Sequence, residues 1–255
     1  MRATILGSGT SSGVPRIGRD WGACDPAEPR NRRTRASILI EHDGTRILVD
    51  TSPDMREQLL AADVATVDAI IWTHDHADHC HGIDDVRQLF HAAGKPIRGL
   101  ARPATLKVIE DRFGYAFRGR SGYPSTIAGE ELPDRLTIGG IEIEVVDQPH
   151  GRISSAGLRF TSHGGRSIGY ATDFHELTDG MAALYQTLDV WIVDALRHAP
   201  HPSHPTVAQV LGWIERLRPR RSALVHMDHS MDYASLRATL PPGVEPGYDG
   251  MMLDV

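Results

Sequence analysis

Between Thr73 and His79 the chain reads Thr-His-Asp-His-Ala-Asp-His, three imidazoles and two carboxylates in seven residues. Neutral imidazole and carboxylate are the ligands that Zn²⁺, Mn²⁺ and Fe²⁺ share. The apolar run Ala69 to Trp72 precedes the segment and reads as a strand, and a helical stretch follows it. In extended chain, residues two apart face the same side, so His74 and His76 can offer their rings to one ion. The chain then turns, and Asp78 and His79 can face a second ion nearby. A lone histidine is more often a packed or solvated side chain than a ligand; this density at a strand end reverses that balance. The chain has 14 histidines, and most fall in groups: His74, His76, His79 and His81, then His198, His201 and His204, then His226 and His229. Such clusters point to metal or proton chemistry.

The elements that must position these groups are legible in outline. Ala3 to Leu6, Ser37 to Glu41 and Ile47 to Val49 read as strands, with a flexible glycine loop at Gly7 to Gly13. Asp50 ends the third strand, either beside the site or as a helix cap before Pro53, where a first helical turn tolerates proline. Helices are expected at Asp54 to Ala61, Asp84 to His91, Ala104 to Phe113, Leu177 to Thr187, Thr206 to Leu217 and Tyr233 to Thr239. Further strands are expected at Ile97 to Leu100, Arg135 to Ile138, Ile141 to Asp147, Gly157 to Thr161, Ser167 to Ala171, Val190 to Val193 and Ala223 to Val225. Gly114 to Gly129, rich in Gly, Arg, Tyr and Ser, reads as an exposed loop. Strands followed by single helices in both halves suit an α/β protein whose sheets are covered by helices. No repeat or long linker interrupts the 255 residues, so residues 1–255 are read as one domain.

Composition bounds the rest. The net charge of −6 gives no overall attraction to nucleic acid or to an anionic membrane. Cys24 and Cys80 cannot build a disulfide framework, which fits a reducing compartment. No basic segment followed by an apolar run opens the chain, and no run approaches the ~18 apolar residues of a membrane span. A cytoplasmic protein without membrane contact is the expectation.

His-x-His-x-Asp-His resembles the signature of the metallo-β-lactamase superfamily. The resemblance implies an αββα four-layer sandwich, two mixed sheets flanked by helices, with metals at one edge. It also implies further ligands at strand ends: His150 in Gln148-Pro149-His150-Gly151, Asp173 after Tyr170-Ala171-Thr172, and His226 after Leu224-Val225. By this resemblance His74, His76 and His150 hold one ion, Asp78, His79 and His226 the other, and Asp173 bridges them. Two divalent ions roughly 3.5–4 Å apart lower the pKa of a shared water and stabilise oxygens that gain charge. Such a site, with zinc or manganese and no organic cofactor, hydrolyses. In the flavin-linked di-iron oxidoreductases of the superfamily a glutamate replaces the second histidine; His76 here favours hydrolysis.

The segment Asp194-Ala195-Leu196-Arg197-His198-Ala199-Pro200-His201-Pro202-Ser203-His204-Pro205, with the opening Gly7-Ser8-Gly9-Thr10 and Gly13-Val14-Pro15, resembles the PhnP-type phosphodiesterases. These cleave a cyclic phosphodiester on ribose, so a small cyclic or nucleotide-like diester is the implied substrate, 5-phosphoribosyl 1,2-cyclic phosphate first among them. The resemblance gives His204 the role of general acid, groups Asp78 with it among the catalytic residues, and suggests a homodimer. An alkoxide is a poor leaving group, and a positioned imidazolium that protonates it is typically worth about 10²- to 10⁴-fold. Arg197, through a bidentate pair, and His201 are candidate substrate contacts. PhnP proteins carry a structural zinc on three cysteines and a late histidine; here Cys24 stands alone in that stretch, with His229 in the histidine's place. One thiol is too few for that closed site, so no structural zinc is expected.

Two other activities would use the same metals. An acyl hydrolase (lactonase or thioesterase) needs no strong general acid. A tRNA 3′-processing nuclease would need a basic, Gly-rich arm, which this chain does not show, so a large nucleic acid is not the expected partner. A binding protein on an inactive hydrolase fold is disfavoured by the complete ligand set.

Overall fold

A computed structural model describes all 255 residues. The amino-terminal half builds one seven-stranded sheet in the order β14-β1-β2-β3-β4-β5-β6. Its strands are β1 (Arg2–Gly7), β2 (Ser37–His42), β3 (Thr45–Val49), β4 (Ala69–Trp72), β5 (Ile97–Ala101), β6 (Ile127–Glu131) and the carboxy-terminal β14 (Met251–Asp254). The other sheet, also seven-stranded, runs β13-β12-β11-β10-β9-β8-β7. Its strands are β7 (Arg135–Ile138), β8 (Ile141–His150), β9 (Ile153–Ser162), β10 (Ser167–Ala171), β11 (Val190–Asp194), β12 (Arg221–Val225) and β13 (Val244–Pro246).

Period-two alternation explains why the sheets stack. Ile38 and Ile40 of β2, Ile47 and Val49 of β3, and Ala69 and Ile71 of β4 all point into one cluster. From the other sheet Ile168 and Tyr170, Val190 and Ile192, and Ala223 and Val225 enter the same cluster. The intervening residues Leu39, Leu48, Ile70 and Trp72 face outward under helices α1 (Met55–Ala61), α3 (Val86–Ala93), α4 (Pro103–Arg112) and α5 (Gly114–Arg118). Ala171, Trp191, Val193 and Leu224 do the same under α6 (Asp179–Leu184), α7 (Val207–Leu217) and α8 (Tyr233–Thr239). The result is two mixed sheets flanked by helices, the αββα sandwich expected from the sequence.

Two local expectations differ, and two strands were not expected. Gly114 to Gly129 is not one loop: it holds α5 and the start of β6, whose Ile127 is buried. The edge strands β13 and β14 carry no sequence signal of their own, being three and four residues long. Leu177 to Thr187 is helical only over α6, with Thr178 capping Met181 N from outside the helix. No helix is long and apolar enough to cross a membrane.

Strand direction places the chemistry. β3, β4, β5 and β6 are mutually parallel, as are β10, β11, β12 and β13. Ligand sites in such sheets lie beyond the carboxyl ends of the strands. Asp50, His74, Asp173, Asp194 and His226 lie at or just beyond the carboxyl ends of β3, β4, β10, β11 and β12.

Candidate metal centre

Three of these strand-end residues leave the sheet by a left-handed backbone: Asp50 (φ 66°), Asp173 (φ 56°) and His226 (φ 58°). Non-glycine residues visit this region infrequently, and Asp, Asn and His are those that tolerate it best. The abrupt turn swings each side chain out of the strand's alternation toward the shared edge. His74 follows β4 directly, His76 caps the short helix α2 (Ala77–Cys80), and Asp78 and His79 sit within it. Gly82 lets this turn close, because a Cβ there would stand 2.0 Å from Ser52 O.

The predicted ligands do converge. His74, His76, His150 and Asp173 form one group whose ligand atoms all lie within 4.8 Å of one another; Asp78, His79 and His226 form a second. Asp173 lies between them. Its Oδ1 is 3.8 Å from His74 Nε2 and 3.6 Å from His150 Nε2, while its Oδ2 is 3.1 Å from His79 Nε2 and 3.6 Å from His226 Nε2. Asp78 Oδ2 is 3.3 Å from His79 Nε2 and 3.6 Å from His226 Nε2. Four ligands about 2.0–2.1 Å from a tetrahedral ion stand about 3.3 Å apart, and the spacings here bracket that value.

The donor set fits cations on a second count. His74 Nε2, His79 Nε2 and His226 Nε2 are buried and have no hydrogen-bond partner. Buried polar atoms are otherwise almost always paired, so three converging, unpartnered ring nitrogens call for a ligand. Two of the cluster's rings are fixed at the opposite atom: His79 Nδ1 meets Asp50 Oδ2 at 2.7 Å, and His150 Nδ1 donates to Ser203 O at 3.0 Å. Such bonds set the tautomer and aim the other nitrogen inward. Asp50 is itself held by Thr73, whose N–H and hydroxyl donate at 2.7 and 2.9 Å. The helix cap position belongs to Asp54, so Asp50 serves the site.

The charges oppose one another without cations. Burial, with His79 beside it, holds His74 well below the ordinary imidazole value. Burial also disfavours charged His79, but Asp173, Asp78 and Asp50 outweigh it and raise that group well above its usual range. Burial again works against His226, yet Asp173 and Asp194 push it up to about 9. Asp173 is held well below the carboxylate range against its own burial, by His226, His79 and His74. Divalent cations take over this role from protons when they bind.

Beside the cluster, His204 Nδ1 meets Asp194 Oδ2 at 2.7 Å and its Nε2 stands 3.9 Å from Asp173 Oδ1. Asp194 is fully buried and also accepts from Asp173 N at 3.1 Å. The sequence reading missed Asp194, although it ends an apolar strand as Asp50 does. His204 also groups with Asp173 and His226 within ligand range, but of the ring nitrogens facing Asp173 its Nε2 is the farthest.

The remaining candidates divide. His201 lies next to His204, ring centres 5.0 Å apart. Arg197 has Nε and Nη2 on the carbonyls of Ala199 and Pro200 at 3.3 and 3.1 Å, so its bidentate side edge is already used and Nη1 is left. His198 is exposed. Cys80 is packed, its Sγ 3.4 Å from Asp75 O and its thiol pushed up to about 11 by burial. Of the arginines that crowd residues 30–35, Arg30 lies over Tyr233, Arg35 pairs with Asp54 at 3.0 Å, and Arg33 is buried. Arg33 reaches Met231 O at 2.6 Å, Asp228 O at 3.3 Å and Cys24 Sγ at 3.8 Å, while His229 Nε2 lies 3.7 Å from Asp20. The glycine loop is tied down, with Gly9 N on Thr34 O at 2.8 Å and Thr10 N on Met227 O at 3.2 Å.

The Beta-lactamase superfamily domain model matches residues 45–227. With the sandwich and the imidazole–carboxylate cluster at its edge, that match defines a metal-dependent hydrolase. A solved structure described as a new diphosphatase from the PhnP family is 33% identical, with TM-score 0.90, covering 100% of this chain and 97% of that one. An octanoyltransferase of Porphyromonas gingivalis is 33% identical over 98% of this chain, but the chain spans only 51% of that protein's length. The Zn²⁺-bound PqqB of Methylobacterium extorquens shares the fold, with TM-score 0.79 and 18% identity over the whole of both chains. The chain belongs to the metallo-β-lactamase superfamily and, within it, to the PhnP family.

Proposed function

We propose that the protein is a two-metal phosphodiesterase acting on a small cyclic or nucleotide-like phosphodiester, with 5-phosphoribosyl 1,2-cyclic phosphate as the first candidate. His74, His76 and His150 would hold one ion and Asp78, His79 and His226 the other, with Asp173 shared between the two groups. When bound, zinc or manganese at these positions activates water and stabilises oxygens that gain charge. Asp194 fixes the His204 Nδ1 proton and turns Nε2 toward the cluster, where it delivers a proton to the leaving alkoxide. Asp78 would serve catalysis by helping to hold one of these ions. His201 and Arg197 Nη1 contact the substrate, and a homodimer is the expected assembly.

The observation that carries this reading is the buried Asp194 beneath His204. An oriented acid is what an alkoxide leaving group requires and what an activated acyl group can do without. The similarity to a PhnP-family diphosphatase points the same way. The test is a panel of cyclic and linear phosphodiesters against lactones and thioesters, with Zn²⁺ and with Mn²⁺. Turnover of diesters far above acyl substrates supports the proposal; lactone or thioester hydrolysis without phosphodiesterase activity replaces it by the acyl reading. That second reading has one support, the name of the longer Porphyromonas protein.

A further inference from the structure

Of the seven candidate ligands His76 alone is exposed. Three of the other rings are held at the nitrogen that faces away from the cluster: His74 Nδ1 by the Thr73 hydroxyl at 3.0 Å, His79 Nδ1 by Asp50 at 2.7 Å, and His150 Nδ1 by Ser203 O at 3.0 Å. His76 has no such anchor. Its ring is hydrogen-bonded to nothing outside the ligand set: Nδ1 stands 3.3 Å from His150 Nε2, and the ring lies edge-on to those of His74 and His150. Its direction is therefore set by its backbone. On the carboxyl side that backbone is tied into α2, where His76 O accepts from His79 N at 3.0 Å. On the amino side it depends on Asp75.

Asp75 is gripped from outside the motif. Arg112, the last residue of α4, donates from Nη1 to Asp75 O and from Nη2 to Asp75 Oδ2, the latter at 2.8 Å. One planar guanidinium thus holds the main chain and the carboxylate of a single residue, a two-point fit that a lysine ammonium does not reproduce. Cys80 Sγ adds a weak bond to the same carbonyl at 3.4 Å. Asp75 stands in neither ligand group, so its carboxylate is free for this contact. α4 leaves the end of β5, the parallel neighbour of β4, so the helix that follows one strand closes on the ligand turn that follows the next.

We propose that Arg112 is a positioning residue for the metal centre. Through Asp75 it fixes the turn between His74 and His76 and holds the exposed imidazole in line with His74 and His150. It touches neither ion nor substrate, and the group of Asp78, His79 and His226 does not depend on it. The inference rests on the two-ion reading above. An exposed ion pair by itself contributes little to global stability, and Arg112 is partly exposed. A merely structural role therefore predicts a small change in Tm and unchanged metal binding.

The test is chelator competition on zinc-loaded wild type, R112Q and R112K, read as the affinity of each of the two ions, with H76A and H76A/R112Q as a reference pair. R112Q is expected to bind one ion roughly 10- to 100-fold more weakly and the other as wild type does, with R112K recovering part of the loss. Because Arg112 acts through His76, R112Q added to H76A should cause no further loss. Both ions bound by R112Q as in wild type, equal weakening of both, or a further loss in H76A/R112Q overturns the positioning role and leaves the two-ion reading standing. A wild type that holds a single ion overturns the two-ion reading instead, and R112Q against wild type at that ion decides the role of Arg112. A wild type that holds none overturns both.

Discussion

Replacing His204 by alanine separates proton delivery from metal binding. The imidazole is held by one bond of 2.7 Å to Asp194, and its free nitrogen stands 3.9 Å from Asp173. Removing a general acid costs about 10²- to 10⁴-fold, or roughly 3–5 kcal/mol of barrier, when the leaving group is a basic alkoxide. A nitrophenolate leaves without a proton, so a bis-nitrophenyl diester is expected to suffer far less than an alkyl or sugar diester. Asp194→Asn exchanges a charge-assisted bond for a neutral one and is expected to cost about 10- to 100-fold on the same alkyl diester. In H204A/D194N the two losses should not add, because Asp194 acts through His204. The assay is steady-state kcat on paired diesters, with metal content measured on each variant. Equal losses on both leaving groups, or loss of an ion from H204A, would refute the role and make His204 a ligand or a structural residue.

Other outcomes follow from the same geometry. Asp50→Asn keeps the fold but weakens the grip of His79, so chelator competition should show metal affinity lower by about 10- to 100-fold. Chelation should lower Tm, and added zinc should raise it in a concentration-dependent way, because cations bind only the assembled cluster. Arg33→Ala leaves the Met231 carbonyl without a donor in the interior, while Asp228 O keeps its bond from Met231 N, at a cost of about 2–3 kcal/mol, which corresponds to a Tm lower by roughly 4–12 °C in calorimetry. Cys24→Ala should leave bound zinc per chain unchanged, since the thiol faces Arg33; loss of an ion would show a metal there.

The sandwich was legible through the resemblance carried by His-x-His-x-Asp-His; the residues alone gave only sheets covered by helices, because strands such as β4, β10 and β11 are buried on both faces and read as apolar runs rather than alternating ones. The candidate ligands were legible because His74, His76, Asp78 and His79 crowd one segment and His150, Asp173 and His226 lie at or just past strand ends. What the sequence hid depends on contacts between distant segments. Asp194 gains meaning only from His204, ten residues on. Asp50 looked equally like a cap until Thr73 and His79 closed on it. Arg33 lies among other arginines, and nothing local marks it as buried. β6 was masked by the Gly- and Arg-rich stretch before it, and β13 and β14 are too short to show a period.

The central claim is a pair of cations held by seven side chains. A crystal of zinc- or manganese-loaded protein measured at the metal's absorption edge tests it most directly. The account requires two anomalous peaks, one among His74, His76, His150 and Asp173, the other among Asp78, His79, His226 and Asp173. A single peak, or none at that edge of the sandwich in metal-replete protein, would contradict it.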